Sequence, residues 1–148
     1  MERKLKLSVQ SVADAEEIPT STQFRKWVKA ALTQNAEITI RIVDEPEGQD
    51  LNKKFRGKKA ATNVLTFFYD DILPLTGDIV LCAAVIEKEA QQQNKSLVAH
   101  YAHLTVHGVL HLQGFDHEND KDAATMEKIE TNIVTGLGYN DPYEDNNY

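Results

Sequence analysis

The 148-residue chain has one cysteine, Cys82. A single thiol excludes a disulfide framework and a thiolate zinc cluster, and it suits a reducing compartment. Basic charge is also scarce: 16 Lys and Arg stand against 23 Asp and Glu, a net charge of −7. The chain as a whole therefore does not attract nucleic acid, and any such contact must rest on a local patch. The opening residues, MERKLKLSVQS, are basic but have no apolar run behind them, so no secretory signal is read there. The longest uncharged stretch, Ser96 to Phe115, is long enough for a membrane span, but it holds His100, His103, His107 and His111 together with Ser96, Thr105 and Gln113. That polarity argues for a helix buried in protein and for a cytoplasmic chain with no membrane partner. With 41% hydrophobic and 26% charged residues, the composition is that of an ordinary globular protein. The length suits one domain over residues 1–148, ending in a polar tail at 141–148.

Periodicity divides the chain into alternating elements. LKLSV (Leu5 to Val9) and EITIRIV (Glu37 to Val43) alternate apolar and polar residues, as half-buried strands do. Between them, Thr20 or Ser21 can cap a helix running to about Leu32, with Phe24, Trp27, Val28, Ala31 and Leu32 on one face. EGQDLNKKFRGKK reads as a polar helix closed by Gly57, and NVLTFFY as a strand. A loop with Pro74 and Gly77 leads into a further strand, DIVLCAAV, and IEKEAQQQNK reads as a solvent-facing helix. Leu97 to Gln113 is the buried helix, ended by Gly114. Asn119 or Asp120 can cap a last helix whose apolar face is Met126, Ile129, Ile133 and Leu137, stopped near Gly136 and Gly138. The order β α β α β β α α α, with helices clustered late, predicts an α+β fold with one mixed sheet around a central helix.

That central helix carries the chemistry. In HGVLHLQGFDH, His107 and His111 are four residues apart and share one helix face, with Cβ atoms about 5–6 Å apart. Two imidazoles so placed can share one tetrahedral ion at Zn–N distances of about 2.0–2.1 Å. Gly114 can end the helix in the left-handed conformation, and Phe115 and Asp116 then turn the chain to deliver His117. The spacing H-x3-H-x2-G-x2-H is that of the extended, metzincin-like zinc-peptidase motif, but Gly108 stands where the peptidase has its glutamate. Three neutral imidazoles plus water leave an open position on the ion, which is the catalytic arrangement. A structural site would need a fourth protein ligand, for which His103 and Asp116 are the candidates. His103 reads either as a buried histidine bonded to backbone or as a support behind His107, and Asp116 either as a turn residue or as the acceptor of a ligand histidine's second N–H.

One basic cluster interrupts the acidic chain: Lys53, Lys54, Arg56, Lys58 and Lys59. It reads either as a solvated face or as a phosphate-binding patch in which the Arg56 guanidinium grips phosphate oxygens.

These segments resemble the YbeY family of bacterial rRNA maturation factors and endoribonucleases. VHGVLHLQGFDH is similar to that family's H-G-x-L-H-L-x-G-[YF]-D-H signature, and the RIVDEPEGQDLNKKFRGKKAATNVLTF, TGDIVLC and GLGYNDPY segments resemble its other blocks. The chain departs from the usual K-D-x-P-T-N at Lys58-Lys59-Ala60-Ala61-Thr62-Asn63, and Phe115 replaces a tyrosine. The resemblance implies an α+β fold and a zinc-dependent, single-strand-specific endoribonuclease. Its role would be in maturing the 3′ end of the small-subunit (16S) rRNA and in ribosome quality control, with rRNA precursor and ribosome or ribosomal proteins as partners. By position, His107, His111 and His117 would bind one Zn2+, Arg56 would be the family's functional arginine, and Arg56 and His107 are the catalytic candidates. Lys53, Lys54, Lys58 and Lys59 would contact RNA.

Gly108 counts against peptide hydrolysis, where a carboxylate must carry a proton to a poor amine leaving group. A phosphodiester has a better leaving group, and RNA carries its own 2′-hydroxyl nucleophile. Two other readings remain open at this level: a metal-dependent hydrolase of peptide, ester or amide bonds, and a non-enzymatic ribosome-assembly factor whose zinc holds the fold.

Overall fold

A computed structural model of the chain describes residues 4–13, 15, 17–56, 62–70, 74–115 and 120–143. Its elements follow the expected order: β1 (Leu5–Ser11), α1 (Ser21–Ala31), β2 (Ala36–Val43), α2 (Glu45–Arg56), β3 (Val64–Asp70), β4 (Leu75–Cys82), α3 (Ala83–Gln92), α4 (Leu97–Leu112) and α5 (Asp120–Gly136). The four strands form one sheet in the order β1-β2-β4-β3. β1 and β4 run parallel to β2, whereas β3 pairs antiparallel with β4. The fold is therefore α+β with a mixed sheet. No helix among the described residues is long and apolar enough to cross a membrane.

Alternation sorts the sheet into two faces. Ile38, Ile40, Ile42, Ile79 and Leu81 face the main core with Phe24, Trp27 and Val28 of α1 and the apolar side of α4. Val43, Leu65, Val80 and Cys82 face the other way, into a smaller cluster that includes Leu51 of α2. Burying one such Ile, Leu or Phe side chain contributes about 1.5–3 kcal/mol, so the larger face dominates stability. At the start of α1, the Thr20 hydroxyl accepts from the Gln23 N–H at 3.1 Å, and Gln23 Oε1 accepts from the Thr20 N–H at 2.9 Å. This reciprocal cap fixes the helix start.

Several boundaries differ from the sequence reading, among them α2, which begins at Glu45, and two in the region of β4. The strand ending in Ala-Ala-Val stops at Cys82, and Ala83 to Val85 begin α3, because Ala83, Ile86 and Ala90 form a buried helical face. Gly77 lies inside β4 and not in a loop. A Cβ there would sit 2.6 Å from Leu112 Cδ2 and 2.8 Å from the Phe67 carbonyl oxygen, so the end of α4 packs directly on strand backbone.

α4 is the centre of the molecule and touches α1, α3, α5, β3 and β4. The Ser96 hydroxyl caps its start by accepting from the Ala99 N–H at 3.2 Å. At its end Gly114 has φ of +97°, and the Phe115 N–H returns to the Leu110 carbonyl at 3.1 Å, closing the helix as a Schellman turn. The Gln113 side chain ties this end to α1, accepting from the Thr33 N–H at 2.8 Å and donating to the Ala31 carbonyl at 2.8 Å.

Gly77→Ala is expected to lower stability by roughly 1–3 kcal/mol, because the Phe67 carbonyl cannot withdraw without breaking the strand pair. Thermal unfolding of the variant checks this. An unchanged midpoint would show that the α4–β4 contact has slack.

Candidate metal centre

Between His100 and Leu112 every residue of α4 is buried except His103, His107 and His111. These three recur at intervals of four, so they form a single stripe along the one side of the helix that reaches the surface. The His107 and His111 ring centroids are 4.7 Å apart, and those of His103 and His107 are 6.4 Å apart. His117 and Asp116 lie outside the described residues, and among the described residues no three His, Cys, Asp or Glu side chains assemble into a metal-binding group.

Behind the stripe stands a residue that the sequence reading missed. Glu130 of α5 has a side chain that is 0% exposed. One of its oxygens accepts from His107 Nδ1, and the other accepts from His103 Nε2 at 3.0 Å and from the Tyr143 hydroxyl. Burial pushes this carboxyl toward its neutral form. The bonds from His103, His107 and Tyr143 and the charge of His107 outweigh that and hold its pKa down at about 2. An ionised carboxylate can only accept, so His107 must carry its proton on Nδ1 and His103 on Nε2. For His107 the nitrogen that would take a metal is therefore Nε2. Burial lowers the pKa of His103 despite Glu130, which favours the neutral ring. His103 thus shares an acceptor with His107, and it does not bond to backbone.

The residues described fit a zinc-type ion. Two imidazoles one turn apart supply borderline-soft nitrogen donors, and a buried carboxylate grips the second nitrogen of one of them, as supports of ligand histidines do. Sequence held a signal for Glu130. It falls on the stripe Met126, Glu130, Val134, whose other two members are buried, and a charged residue there needs a partner from a neighbouring helix. Ile129, Ile133 and Leu137, assigned to the centre of that face, flank it and are only partly buried.

A separate pair lies earlier on α4. His100 is buried and bonds Glu89 at 2.9 Å, and Glu89 also accepts from the Asn63 side chain at 3.0 Å. This turns His100 toward α3, although its ring centroid stays 6.2 Å from that of His103.

Gly108 is explained by packing. It faces the sheet, and a Cβ at this position would lie 3.0 Å from Ile79 Cγ2 and 3.2 Å from Ile79 Cδ1. A glutamate would have to enter the core. Of the basic cluster, Lys53 and Lys54 lie exposed on α2, with Lys54 paired to Asp50 at 3.2 Å. Arg56 ends α2, and its side chain, Lys58 and Lys59 lie outside the described residues. The structure does not relate the cluster to the histidine stripe.

Gly108→Glu, which would restore the peptidase pattern, is expected to unfold the protein or cost more than about 4 kcal/mol, because it buries an unpaired charge against Ile79. Circular dichroism and a casein digest check this; a folded variant that cleaves casein would contradict it.

Comparison with known proteins gives the family. The family model described as Endoribonuclease YbeY matches residues 8–138. The chain is 66% identical to the protein named endoribonuclease YbeY of Nitrosomonas europaea, over 96% of this chain and 87% of that one. It is 65% identical to the protein of the same name in Nitrosomonas eutropha, over 93% and 97% of the two chains. The solution structure of TM1509 from Thermotoga maritima shares the fold, with a TM-score of 0.59 at 24% identity, covering 95% of this chain and 99% of that one. With its buried helix, its histidine stripe and a family match over most of its length, the chain belongs to the YbeY endoribonuclease family.

Proposed function

We propose that the protein is a zinc-dependent endoribonuclease that cuts single-stranded RNA. Its place is in maturing the 3′ end of 16S rRNA and in ribosome quality control in the cytoplasm. The observation that carries the reading is the stripe His107–His111 backed by a fully buried carboxylate, an arrangement built to orient metal ligands. The name that its relatives carry, endoribonuclease, supplies the substrate class.

His107, His111 and His117 would hold the ion, which when bound supplies a Lewis acid and lowers the pKa of its water to about 7. Glu130 keeps the His107 ring in one tautomer and one orientation. The close approach of α4 to Ile79 at Gly108 excludes a general base one residue after His107. RNA needs such a base less than a peptide does, since its 2′-hydroxyl is a built-in nucleophile and its leaving group is better. Arg56 would hold charge developing on the phosphate. Lys53, Lys54, Lys58 and Lys59 would draw the RNA backbone to a chain that otherwise repels it, which makes binding weak and salt-sensitive and favours delivery by a ribosomal partner.

Purified protein of known metal content, freed of contaminating nucleases, is expected to cleave single-stranded RNA. His111→Ala, Arg56→Ala and a chelated sample should each lose roughly a hundredfold or more while remaining folded. Equal cleavage by all four would sink the reading.

A further inference from the structure

The chain beyond α5 is fastened over the buried carboxylate. Tyr139 packs edge-on against Trp27 at a centroid distance of 6.3 Å. The buried Pro142 accepts from Lys95 Nζ through its carbonyl, and Asp141 Oδ1 accepts from the Tyr143 N–H at 2.8 Å, which tightens the turn. A cavity of about 230 Å³ is lined by residues 138–142 on one side and by Ala99, His103 and Val134 on the other, so the segment does not pack continuously against the helices. Beyond it, the Tyr143 ring stands edge-on to His103 at 5.2 Å and is 45% exposed, yet its hydroxyl reaches Glu130 and lies 3.4 Å from His103 Nε2.

A residue that served only to cover apolar surface would not spend its hydroxyl on a carboxylate. Among the described residues Glu130 has three donors: His103 and Tyr143 on one oxygen, and His107 on the other. With Tyr143 removed, one oxygen keeps a single protein donor and the carboxylate can turn. His107 Nδ1, bonded to the opposite oxygen, turns with it. Ring orientation decides whether Nε2 points along the line to an ion, so the phenol acts on the metal site at one remove.

We propose that Tyr143 is a positioning residue for the metal centre: its hydroxyl fixes Glu130 and through it the His107 imidazole, so that docking of residues 139–143 sets how tightly the site holds its ion. This rests on the reading of His107 and His111 as ligands.

The test uses the full chain titrated with Co2+ at 25 °C, where circular dichroism shows each variant folded. The readouts are affinity, by competition with a chromogenic chelator, and the visible ligand-field bands. Tyr143→Phe keeps the ring and removes the hydroxyl; it is expected to weaken affinity roughly 10–100-fold and to alter the bands. Asp141→Ala, which loosens the turn but keeps the phenol, should shift both readouts in the same direction by less. Tyr139→Phe, in the same segment, should leave both unchanged. Tyr143→Phe with wild-type affinity and bands would overturn the proposal and leave the ligand assignment standing. A wild-type chain that binds no Co2+ would overturn both.

Discussion

A carboxylate with no exposure to water is the constraint around which the active half of this molecule is arranged. An isolated ionised carboxyl group in the protein interior costs many kcal/mol, so Glu130 can exist only where donors surround it. They come from two places, His103 and His107 on α4 and Tyr143 beyond α5. Losing one such hydrogen bond to a buried charge costs about 1.5–3 kcal/mol, more than an average surface contact. The same bonds that let α5 bury a charge also orient His107, the proposed metal ligand, so stability and the geometry of the histidine stripe are set by one interaction.

α4 can present this stripe because everything else about it is fixed. Its other sides are apolar and enclosed by α1, α5 and the sheet, its start is capped by Ser96, and its end is turned by Gly114 and clamped by Gln113. The contacts at Gly77 and Gly108 press it against β4, with no room for a Cβ at Gly77 and a tight fit against Ile79 at Gly108. The absent glutamate of the peptidase pattern is then a consequence of packing as well as of chemistry. The position that would hold the base in a peptidase is here occupied by the sheet. What the fold leaves is an oriented pair, His107 and His111, with no carboxylate at the position after His107, which fits the proposal of a substrate that brings its own nucleophile.

Much of this was legible in the residues, and the exceptions have physical causes. Short-range rules placed α1 with its Thr20 cap, β2 through Ile38, Ile40 and Ile42, and the end of α4 at Gly114, because each depends on neighbours within a few residues. The histidine pair was legible because helical spacing alone puts His107 and His111 on one face. Glu130 left only its place on the Met126–Val134 stripe as a signal and Tyr143 left none, since their roles appear only when α5 and the following segment fold back on α4. Glu130 was hidden further because the isoleucines and leucine beside it drew the apolar face away from the stripe that is most deeply buried. Ala83 to Val85 read as strand because two alanines and a valine are neutral between the two periods. Burial of Ala83, Ile86 and Ala90 decided for helix.

The most direct test of the account is the zinc affinity of Glu130→Gln against the wild-type chain, measured by chelator competition on folded protein alongside RNA cleavage. Glutamine keeps the size but loses the charge that fixes the His107 tautomer. The account predicts affinity weaker by roughly 10–100-fold, with cleavage falling as zinc is lost. Unchanged affinity and unchanged cleavage would contradict it, and would make Glu130 a structural buried charge with no hold on the site.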